Sequence, residues 1–220
     1  EFDDGKTELL RMQNGGCSAA DANTCKGADV GRPTPFEGAN FKFLSSNVKN
    51  ADTGATLLPP YVIKMVGGTR VGIIGAVLEE TPTIVSPTGV AGLNFQDEAD
   101  AINALIKQVR NRGAETIVAI IHQGGAQTGG VANITQANAC NGLTGPIADI
   151  VSRLDSNIDA VYTAHTHQWY NCKLPTLSGK LVPVTQASAT GGGLTEVDLT
   201  IDRNSRNVVG AFTRNHLVSR

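Results

Sequence analysis

The chain has 220 residues, of which 40% are hydrophobic and 17% are charged, and its formal net charge is −2. This composition is typical of a soluble globular protein with a sizeable core, most simply a single domain. The small negative charge argues against the basic surface that nucleic-acid binding needs, so we expect no nucleic-acid partner. No apolar run approaches the roughly 20 residues that cross a bilayer. The opening residues, EFDDGKTELL, have neither the basic nor the apolar region of a signal peptide.

The first half of the chain predicts one helix, a strand and a hairpin. Apolar residues at helical spacing predict a helix over Lys6–Gln13. Asn40–Val48 alternates like a strand, and Tyr61–Val66 and Arg70–Leu78 form a predicted hairpin. The second hairpin strand is almost continuously apolar, which is typical of a central strand of a sheet. Glu79–Leu93 follows as a predicted loop with two prolines.

The second half alternates helices and strands and then ends in strands. Helices are predicted from Asp97 to about Arg112 and over Gly145–Leu154. The apolar runs Thr116–Ile121 and Ile158–Ala164 predict a buried strand after each helix. The strand–helix order from 70 to 163 predicts a parallel core, with antiparallel strands added at the end, in a layered α/β sandwich. The closing strands are predicted at Leu181–Gln186, Leu194–Ile201 and Asn207–Phe212.

The four cysteines predict two disulfides. Four cysteines allow three pairings, and we expect Cys17–Cys25 across a short polar loop and Cys140–Cys172 on either side of one predicted strand. None has C-x-x-C spacing, which argues against a zinc ribbon or a redox dithiol. An even number of cysteines in loops favours disulfides and an exported protein.

Three of the four histidines follow apolar runs. His122 ends one run, and His165 and His167 end another. In an extended chain, residues two apart point the same way, about 6.6 Å from each other, so both imidazoles of H-T-H would face one pocket. Open α/β folds bind ligands at the carboxyl edge of the sheet, and histidine is the commonest metal ligand. These three histidines therefore predict a metal site, with solvated imidazoles at polar strand ends as the alternative.

Four blocks of the sequence together resemble the metallophosphoesterase domain of the secreted 5′-nucleotidases, also called the calcineurin-like phosphoesterases: NFKFLSSNV, LPPYVIKMVGGTRVGIIGAVLEETP, IVAIIHQGG and DAVYTAHTHQWYNC. The resemblance implies one partial domain over residues 1–220, with a layered α/β/β/α fold and a dinuclear metal site at the sheet edge. His122 resembles the metal ligand that follows an apolar strand. His165 and His167 resemble the histidines of the family's G-H-T-H block, one to each metal, with Ala164 in place of its glycine.

The resemblance also indicates what these residues lack. Glu1-Phe2-Asp3 resembles the tail of the family's G-N-H-E-F-D block, and Asp3 matches the aspartate that orients the catalytic histidine of that block. The preceding Gly, Asn and His, the upstream D-x-H and G-D blocks, and the C-terminal nucleoside-binding domain do not occur. We therefore expect the sandwich to lack its first strands and to leave an unpaired sheet edge, which another copy could fill.

The function that the resemblance implies is hydrolysis of phosphate monoesters. The expected substrate is a 5′-nucleotide or another small phosphate ester, and the expected cofactors are two divalent ions (Zn, Mn, Co, Mg or Ca) that activate a water. The expected location is extracellular or cell-wall associated. Relatives of this architecture also cleave nucleotide sugars, cyclic nucleotides or sulfur esters, and the residues do not separate these. Two competing hypotheses are a catalytically incomplete fragment with half a metal site and a complete mononuclear zinc centre of three histidines.

Two glycine runs, Asp159 and His216 are the remaining candidates. Gly124–Gly125 and Gly191–Gly193 lie where the backbone could approach a phosphate closely, and loop flexibility is the alternative. Asp159 is expected to be a turn residue rather than a ligand, and His216 is expected to be solvated.

Overall fold

A computed structural model describes residues 2–17, 36–128 and 134–218. A 3₁₀ turn at Ile134–Gln136 accompanies the helices and strands. In chain order these are α1 (Gly5–Asn14), β1 (Val48–Asn50), β2 (Tyr61–Val66), β3 (Thr69–Val77), α2 (Thr81–Ile84), β4 (Leu93–Phe95), α3 (Glu98–Asn111), β5 (Thr116–His122), α4 (Pro146–Arg153), β6 (Ala160–Thr163), β7 (Trp169–Pro175), β8 (Leu181–Ala187), β9 (Gly193–Ile201) and β10 (Val208–Leu217).

A six-stranded mixed sheet forms the centre of the fold, in the order β2-β3-β5-β6-β8-β7. Strands β3, β5, β6 and β8 run parallel, and β2 and β7 are antiparallel to their neighbours. The predicted α/β class with a parallel core is confirmed. The predicted strand over Leu181–Gln186 is confirmed as β8, which pairs antiparallel with β7 and also parallel with β6. Strand β7, which was not predicted, runs antiparallel to β8. Because β7 returns the chain along the sheet, β8 runs in the same direction as β6.

The two faces of the central sheet are covered differently. Helices α3 and α4 pack on one face, where Ile117, Ala119 and Ile121 of β5 join their buried side chains in the main core. The β9–β10 hairpin lies over the other face, toward which Val118 and Ile120 point. A second core joins α1, β1 and β4. Its buried members are Phe2, Leu9, Val48, Leu58, Val77, Val90 and Phe95.

The predicted strand over Asn40–Val48 is wrong, because β1 begins at Val48. Side chains, rather than a neighbouring strand, bind the backbone of this segment. The amide of Gln13 donates to the Phe41 carbonyl (2.9 Å) and accepts from the Phe43 N–H (2.6 Å). The predicted loop Glu79–Leu93 likewise contains the short helix α2 and ends at the start of β4.

The predicted disulfide Cys140–Cys172 is confirmed, with the two Cα atoms 4.9 Å apart. It ties the segment after the 3₁₀ turn to β7, an edge strand of the central sheet. Cys25 lies outside the described residues, so its pairing with Cys17 stays a prediction. Among the described helices, none has the length and apolar character needed to cross a membrane.

Arg153, at the end of α4, ties this helix to the start of α3. Its guanidinium donates to both carboxylate oxygens of Asp97, at 3.0 and 2.7 Å. Asp97 is also the N-cap of α3, where its side chain accepts from the Asp100 N–H (2.9 Å). The hydrogen bond from Arg153 is the main cause that lowers the pKa of the Asp97 carboxyl. The Asp97 carboxylate therefore caps α3 and pairs with Arg153 of α4.

Replacing Asp97 with alanine should lower the free energy of unfolding by about 1–2 kcal/mol at pH 7, because the cap and a partly exposed ion pair are both lost. Asp100→Ala is the matched control, since this side chain is 82% exposed and lies 3.9 Å from Arg153. Urea denaturation measures the free energy of unfolding of both variants. An equal decrease in the two would contradict the role of Asp97 as helix cap and ion-pair partner. Because the Asp97 pKa is lowered in the fold, its contribution is present above the ordinary aspartate pKa of about 4 and is lost as the pH falls below it.

Candidate metal centre at the carboxyl edge of the sheet

His122 and His165 meet at the carboxyl edge of two neighbouring parallel strands. His122 is the last residue of β5, and His165 follows β6 by two residues. Ile121 lies opposite Thr163 in the parallel register, so both strands deliver their next residues to the same edge. The two imidazole centroids are 5.4 Å apart, with an interplanar angle of 61°. The structure therefore brings together two of the three histidines that the sequence singled out.

The prediction of an extended H-T-H segment is wrong. Strand β6 ends at Thr163, and both His165 (φ 69°) and His167 (φ 56°) adopt left-handed backbone conformations. Histidine is among the non-glycine residues that occur there more often than average. The chain therefore turns at each histidine. His165 is half-buried beside His122, whereas His167 is exposed.

The three histidines do not form a closed three-ligand group. Among the described residues, one group of three side chains has its possible metal-ligand atoms all within 4.8 Å of one another, and it consists of Glu79, Asp97 and Glu98. Local structure accounts for this acidic group: Asp97 caps α3 and pairs with Arg153, and Glu98 accepts from the Glu79 N–H (3.2 Å). Burial raises the pKa of the Glu98 carboxyl. The geometry offers little support for the mononuclear three-histidine hypothesis.

Gln186, a fully buried residue of β8, holds the loop that carries His165 and His167. Its side-chain oxygen accepts from the Gln168 N–H (2.7 Å) and lies 2.9 Å from the Thr166 hydroxyl, and its amide nitrogen donates to the Ala164 carbonyl. The Thr166 hydroxyl also lies 2.8 Å from the carbonyl of Gly125 in the loop after β5. One side chain thus bridges the loop at three points. Nothing in the local sequence marks Gln186 for this role.

Asn47 has a similar role at the end of β3, next to His122 in the sheet. Its side chain accepts from the Val77 N–H (3.0 Å) and donates to the carbonyls of Val77 (2.6 Å) and Gln96 (2.8 Å). Val77 is the partner of His122 in the β3–β5 register. Asn47 is fully buried, so these hydrogen bonds meet its polar groups without water. It fixes the strand end against which His122 lies.

Close packing is a sufficient reason for glycine at positions 124 and 125. A Cβ at Gly124 would come closer than 3.0 Å to the Ala164 carbonyl oxygen and the Thr166 hydroxyl, and one at Gly125 would do the same with the Thr144 carbonyl oxygen. The loop after β5 therefore lies directly against the histidine loop. Gly193 is also close-packed, against the Trp169 ring.

Gly124→Ala should lower the free energy of unfolding by on the order of 1–3 kcal/mol, because backbone must move to admit the methyl group. Gly210→Ala is the matched control, since its new Cβ would contact Thr200 at 3.6 Å, an ordinary packing distance. Urea denaturation of both variants measures the difference. If both substitutions cost the same, close packing is not the reason for glycine at position 124.

Tyr170 anchors the base of the same loop from β7. Its side chain is fully buried, and its hydroxyl bonds the Thr163 hydroxyl, which in turn lies 2.8 Å from the Thr185 carbonyl. Burial raises the pKa of Tyr170 to about 12. The phenol is therefore held in its neutral form.

This raised pKa predicts a loss of stability in alkali. An unfolded tyrosine ionises near pH 10, so the free energy of unfolding should fall as the pH rises from about 10 to 12, by at most about 2–3 kcal/mol from this residue. Tyr170→Phe should be less stable at neutral pH but should lack this share of the alkaline loss. The check is urea denaturation of both proteins between pH 8 and 12. Parallel curves for the two proteins would contradict the prediction.

The remaining predicted residues lie in different places. Asp159 precedes β6 at the opposite end of the strand from His165, where it is buried, accepts from the Ile117 N–H (3.0 Å) and pairs with Lys180 (2.7 Å). These contacts give Asp159 a structural role between β5 and the start of β6, rather than the expected place in a turn. His216 lies near the end of β10, is partly exposed and pairs with Glu196 (2.7 Å). Asp3 is exposed, and its neighbour Phe2 lines a cavity of about 470 Å³ that His122 also lines.

Relatives of known name match nearly the whole chain. It is 33% identical over 209 residues to the endonuclease YhcR of Bacillus subtilis, and 28% identical over 216 residues to the cell wall protein Lmo0130 of Listeria monocytogenes. Both alignments cover 95% of this chain but 15% and 26% of the relatives' own length. A stretch of 94 residues, 42% of this chain, is 32% identical to a 5′-nucleotidase of Vibrio cholerae, of which it covers 17%. No family model matches the chain.

Solved structures show the same fold. The chain aligns with a 5′-nucleotidase precursor from Thermus thermophilus at a TM-score of 0.65 and 22% identity, over 81% of this chain and 34% of that protein. It aligns with the calcineurin-like phosphoesterase YfkN from Bacillus subtilis at a TM-score of 0.63 and 22% identity, over 84% of this chain and 59% of that one. The chain is a relative of the 5′-nucleotidases and calcineurin-like phosphoesterases. The resemblance read from its motifs is confirmed for the part of these phosphoesterases that it covers.

Proposed function

We propose that the parent protein of this chain is an exported, metal-dependent phosphoesterase that hydrolyses 5′-nucleotides to a nucleoside and phosphate. In this proposal His122, His165 and His167 supply the imidazole ligands of a two-metal site. The observation that carries it is the approach of His122 and His165 to 5.4 Å at the carboxyl edge of two parallel strands. Ligand sites of open α/β sheets lie at this edge.

The donor set fits divalent transition metals. Neutral imidazole is a ligand for zinc, manganese and cobalt, and two rings at this separation can reach the same ion or neighbouring ions. His167 lies on the same loop, two residues beyond His165, where it can serve a second ion. Two divalent ions also need carboxylates to balance their charge. We propose that these come from the parent protein outside these 220 residues.

The chain's own residues would position the site before any ion binds. Gln186 and Thr166 fix the loop of His165 and His167, and Asn47 fixes the strand beside His122. The bound ions would supply an activated water and stabilise the charge that develops on the phosphoryl oxygens. Asp3, whose neighbour Phe2 lines the cavity beside His122, would orient a histidine of the parent protein that acts on the reacting phosphate.

Export is supported by two observations. The Cys140–Cys172 disulfide is typical of proteins from oxidising compartments. A relative that matches 95% of this chain is a cell wall protein. We propose an extracellular or cell-wall location for the parent protein.

The test measures phosphate release by the parent protein, loaded with Mn²⁺ or Zn²⁺, from adenosine 5′-monophosphate. His122→Ala and His165→Ala should each lower kcat/KM at least about 100-fold, because loss of a metal ligand should cost at least as much as loss of an outer-shell partner, which costs about 10–100-fold. His216→Ala is the matched control and should retain full activity, since this histidine pairs with Glu196 on β10. Bound metal, measured by elemental analysis, should fall in the first two variants alone. A parent protein that is inert under these conditions, or equal effects of the three substitutions, would refute the proposal.

Phosphodiester cleavage is the second candidate. The observation that favours it is the 33% identity to an endonuclease over 95% of this chain. The same assay with bis(p-nitrophenyl) phosphate, a cyclic nucleotide and single-stranded DNA separates the two activities. Preference for a diester or for DNA over adenosine 5′-monophosphate would assign the site to this second candidate and would also overturn the expectation of no nucleic-acid partner.

A further inference from the structure

A third parallel strand, β8, ends at the same edge of the sheet as β5 and β6. In the parallel register of β6 and β8, Tyr162 lies opposite Thr185. His165 follows Tyr162 by three residues, and Ser188 follows Thr185 by three residues. Both adopt left-handed backbone conformations, with φ values of 69° and 58°. Ser188 is therefore the counterpart of His165 at the end of the neighbouring strand.

The turn after β8 is hydrogen-bonded to the loop that carries His165 and His167. We call residues 188–192 the Ser188 turn. The Ser188 N–H donates to the carbonyl of Gln168 (2.8 Å), the residue that follows His167. The buried side chain of Gln186, just before the turn, bonds the same loop. The Ser188 turn is thus held directly beside the candidate metal centre.

The Ser188 turn has a strained backbone. Ser188 (φ 58°), Thr190 (φ 56°) and Gly191 (φ 72°) are left-handed, whereas φ of Ala189 is negative. Positive φ is uncommon outside glycine, and for a β-branched residue such as threonine it is an outlier. Strain of this kind is concentrated at functional sites, where the surrounding structure holds it.

Three consecutive backbone N–H groups of the turn have no acceptor among the described residues, namely those of Ala189, Thr190 and Gly191. The turn is closed by another bond, from the Gly192 N–H to the Ala189 carbonyl (3.0 Å). Successive N–H groups in a turn, or where the backbone changes between right- and left-handed conformations, form a concave donor site for anions such as phosphate. The Ser188 turn has this arrangement.

The surroundings of these N–H groups also suit an anion. The stretch QASATGGGL, residues 186–194, contains no charged side chain, so no carboxylate of the turn competes for the donors. A Cβ built at Gly191 would meet no atom within 4 Å, which leaves open space beside the donors.

A solvated hairpin turn is the alternative interpretation. Solvent would account for N–H groups without protein acceptors. It would not account for serine and threonine at positive φ, because turns with left-handed central residues are dominated by glycine, asparagine and aspartate. The hydrogen bond to the histidine loop also ties the turn to the candidate site rather than leaving it in solvent.

We propose that the Ser188 turn binds the phosphoryl group of the substrate, with the N–H groups of Ala189, Thr190 and Gly191 as donors to its anionic oxygens. The inference rests on the proposed function, because it assigns the turn to the same site. Hydrogen bonds from backbone N–H groups to an ionised oxygen are stronger than those between neutral groups. The donors stand on the chain itself and are in place before an ion or a substrate binds.

A matched pair of substitutions at Thr190 in the metal-loaded parent protein tests the proposal. Asparagine and aspartate have similar shapes and both tolerate a left-handed backbone, so both should preserve the turn. Only aspartate places a carboxylate among the donors, where it accepts from them and repels a phosphate. Thr190→Asp should therefore raise the KM for adenosine 5′-monophosphate at least about tenfold relative to Thr190→Asn. The Kd for orthophosphate, from isothermal titration calorimetry, should rise by the same factor.

Leu194→Asp is the control for a general effect of charge, since Leu194 lies on β9 outside the turn and is 62% exposed. At about 0.15 M salt it should leave both constants within about twofold of the unsubstituted protein. Equal constants for Thr190→Asp and Thr190→Asn, equal effects of Thr190→Asp and Leu194→Asp, or a parent protein that does not bind orthophosphate would overturn the inference. Phosphate release that persists alongside any of these results would leave the proposed function standing. A parent protein that binds orthophosphate and separates the Thr190 pair, but hydrolyses no ester, would support the turn as an anion site and refute the proposed function alone.

Discussion

The parallel register of β5 and β6 is the constraint on which the candidate site depends. It places Ile121 opposite Thr163, so the residues that follow both strands emerge at one edge of the sheet. The β3–β5 register adds Val77 opposite His122 at the same edge. A shift of one residue would turn every side chain of a strand to the other face, and the buried residues of β5 would leave the helical core. The hydrophobic core that sets the register therefore also sets the separation of His122 and His165.

Beyond the strand ends, buried polar groups and close contacts replace regular secondary structure. Gln186 bonds the histidine loop at three points, and Gly124 allows the loop after β5 to lie directly against it. The hydrogen bonds of Gln186 are costly to break, because a buried amide or carbonyl group that loses its partner has no water molecule to bond instead. The loop is held in an unusual backbone conformation, with two histidines at positive φ, by this network. Functional positions that carry such local strain depend on the surrounding structure to hold them.

The two faces of the central sheet are packed by different elements. One face of β5 packs against α3 and α4, and the other lies under the β9–β10 hairpin, where Val118 is buried and Ile120 is 38% exposed. His122 lies at one end of this second face, in the cavity that Phe2 also lines. The matched relatives hold most of their length beyond the segment that this chain covers.

The sequence by itself determined the parallel core, the Cys140–Cys172 disulfide and the placement of His122 and His165 at strand ends. The parallel core and the two strand ends follow from the order of the apolar runs, which periodicity reports directly. The disulfide follows from the even number of cysteines and their positions on either side of one predicted strand. Tertiary structure alone decided the left-handed turns at His165 and His167, the edge strand β7, the irregular path of Asn40–Val48, and the roles of Gln186 and Asn47. Asn47 and Val77 are 30 residues apart, and Gln186 and Thr166 are 20 apart. Hydrogen bonds between such distant residues leave no periodic signal in the sequence, because they exist only after the strands that carry them have paired.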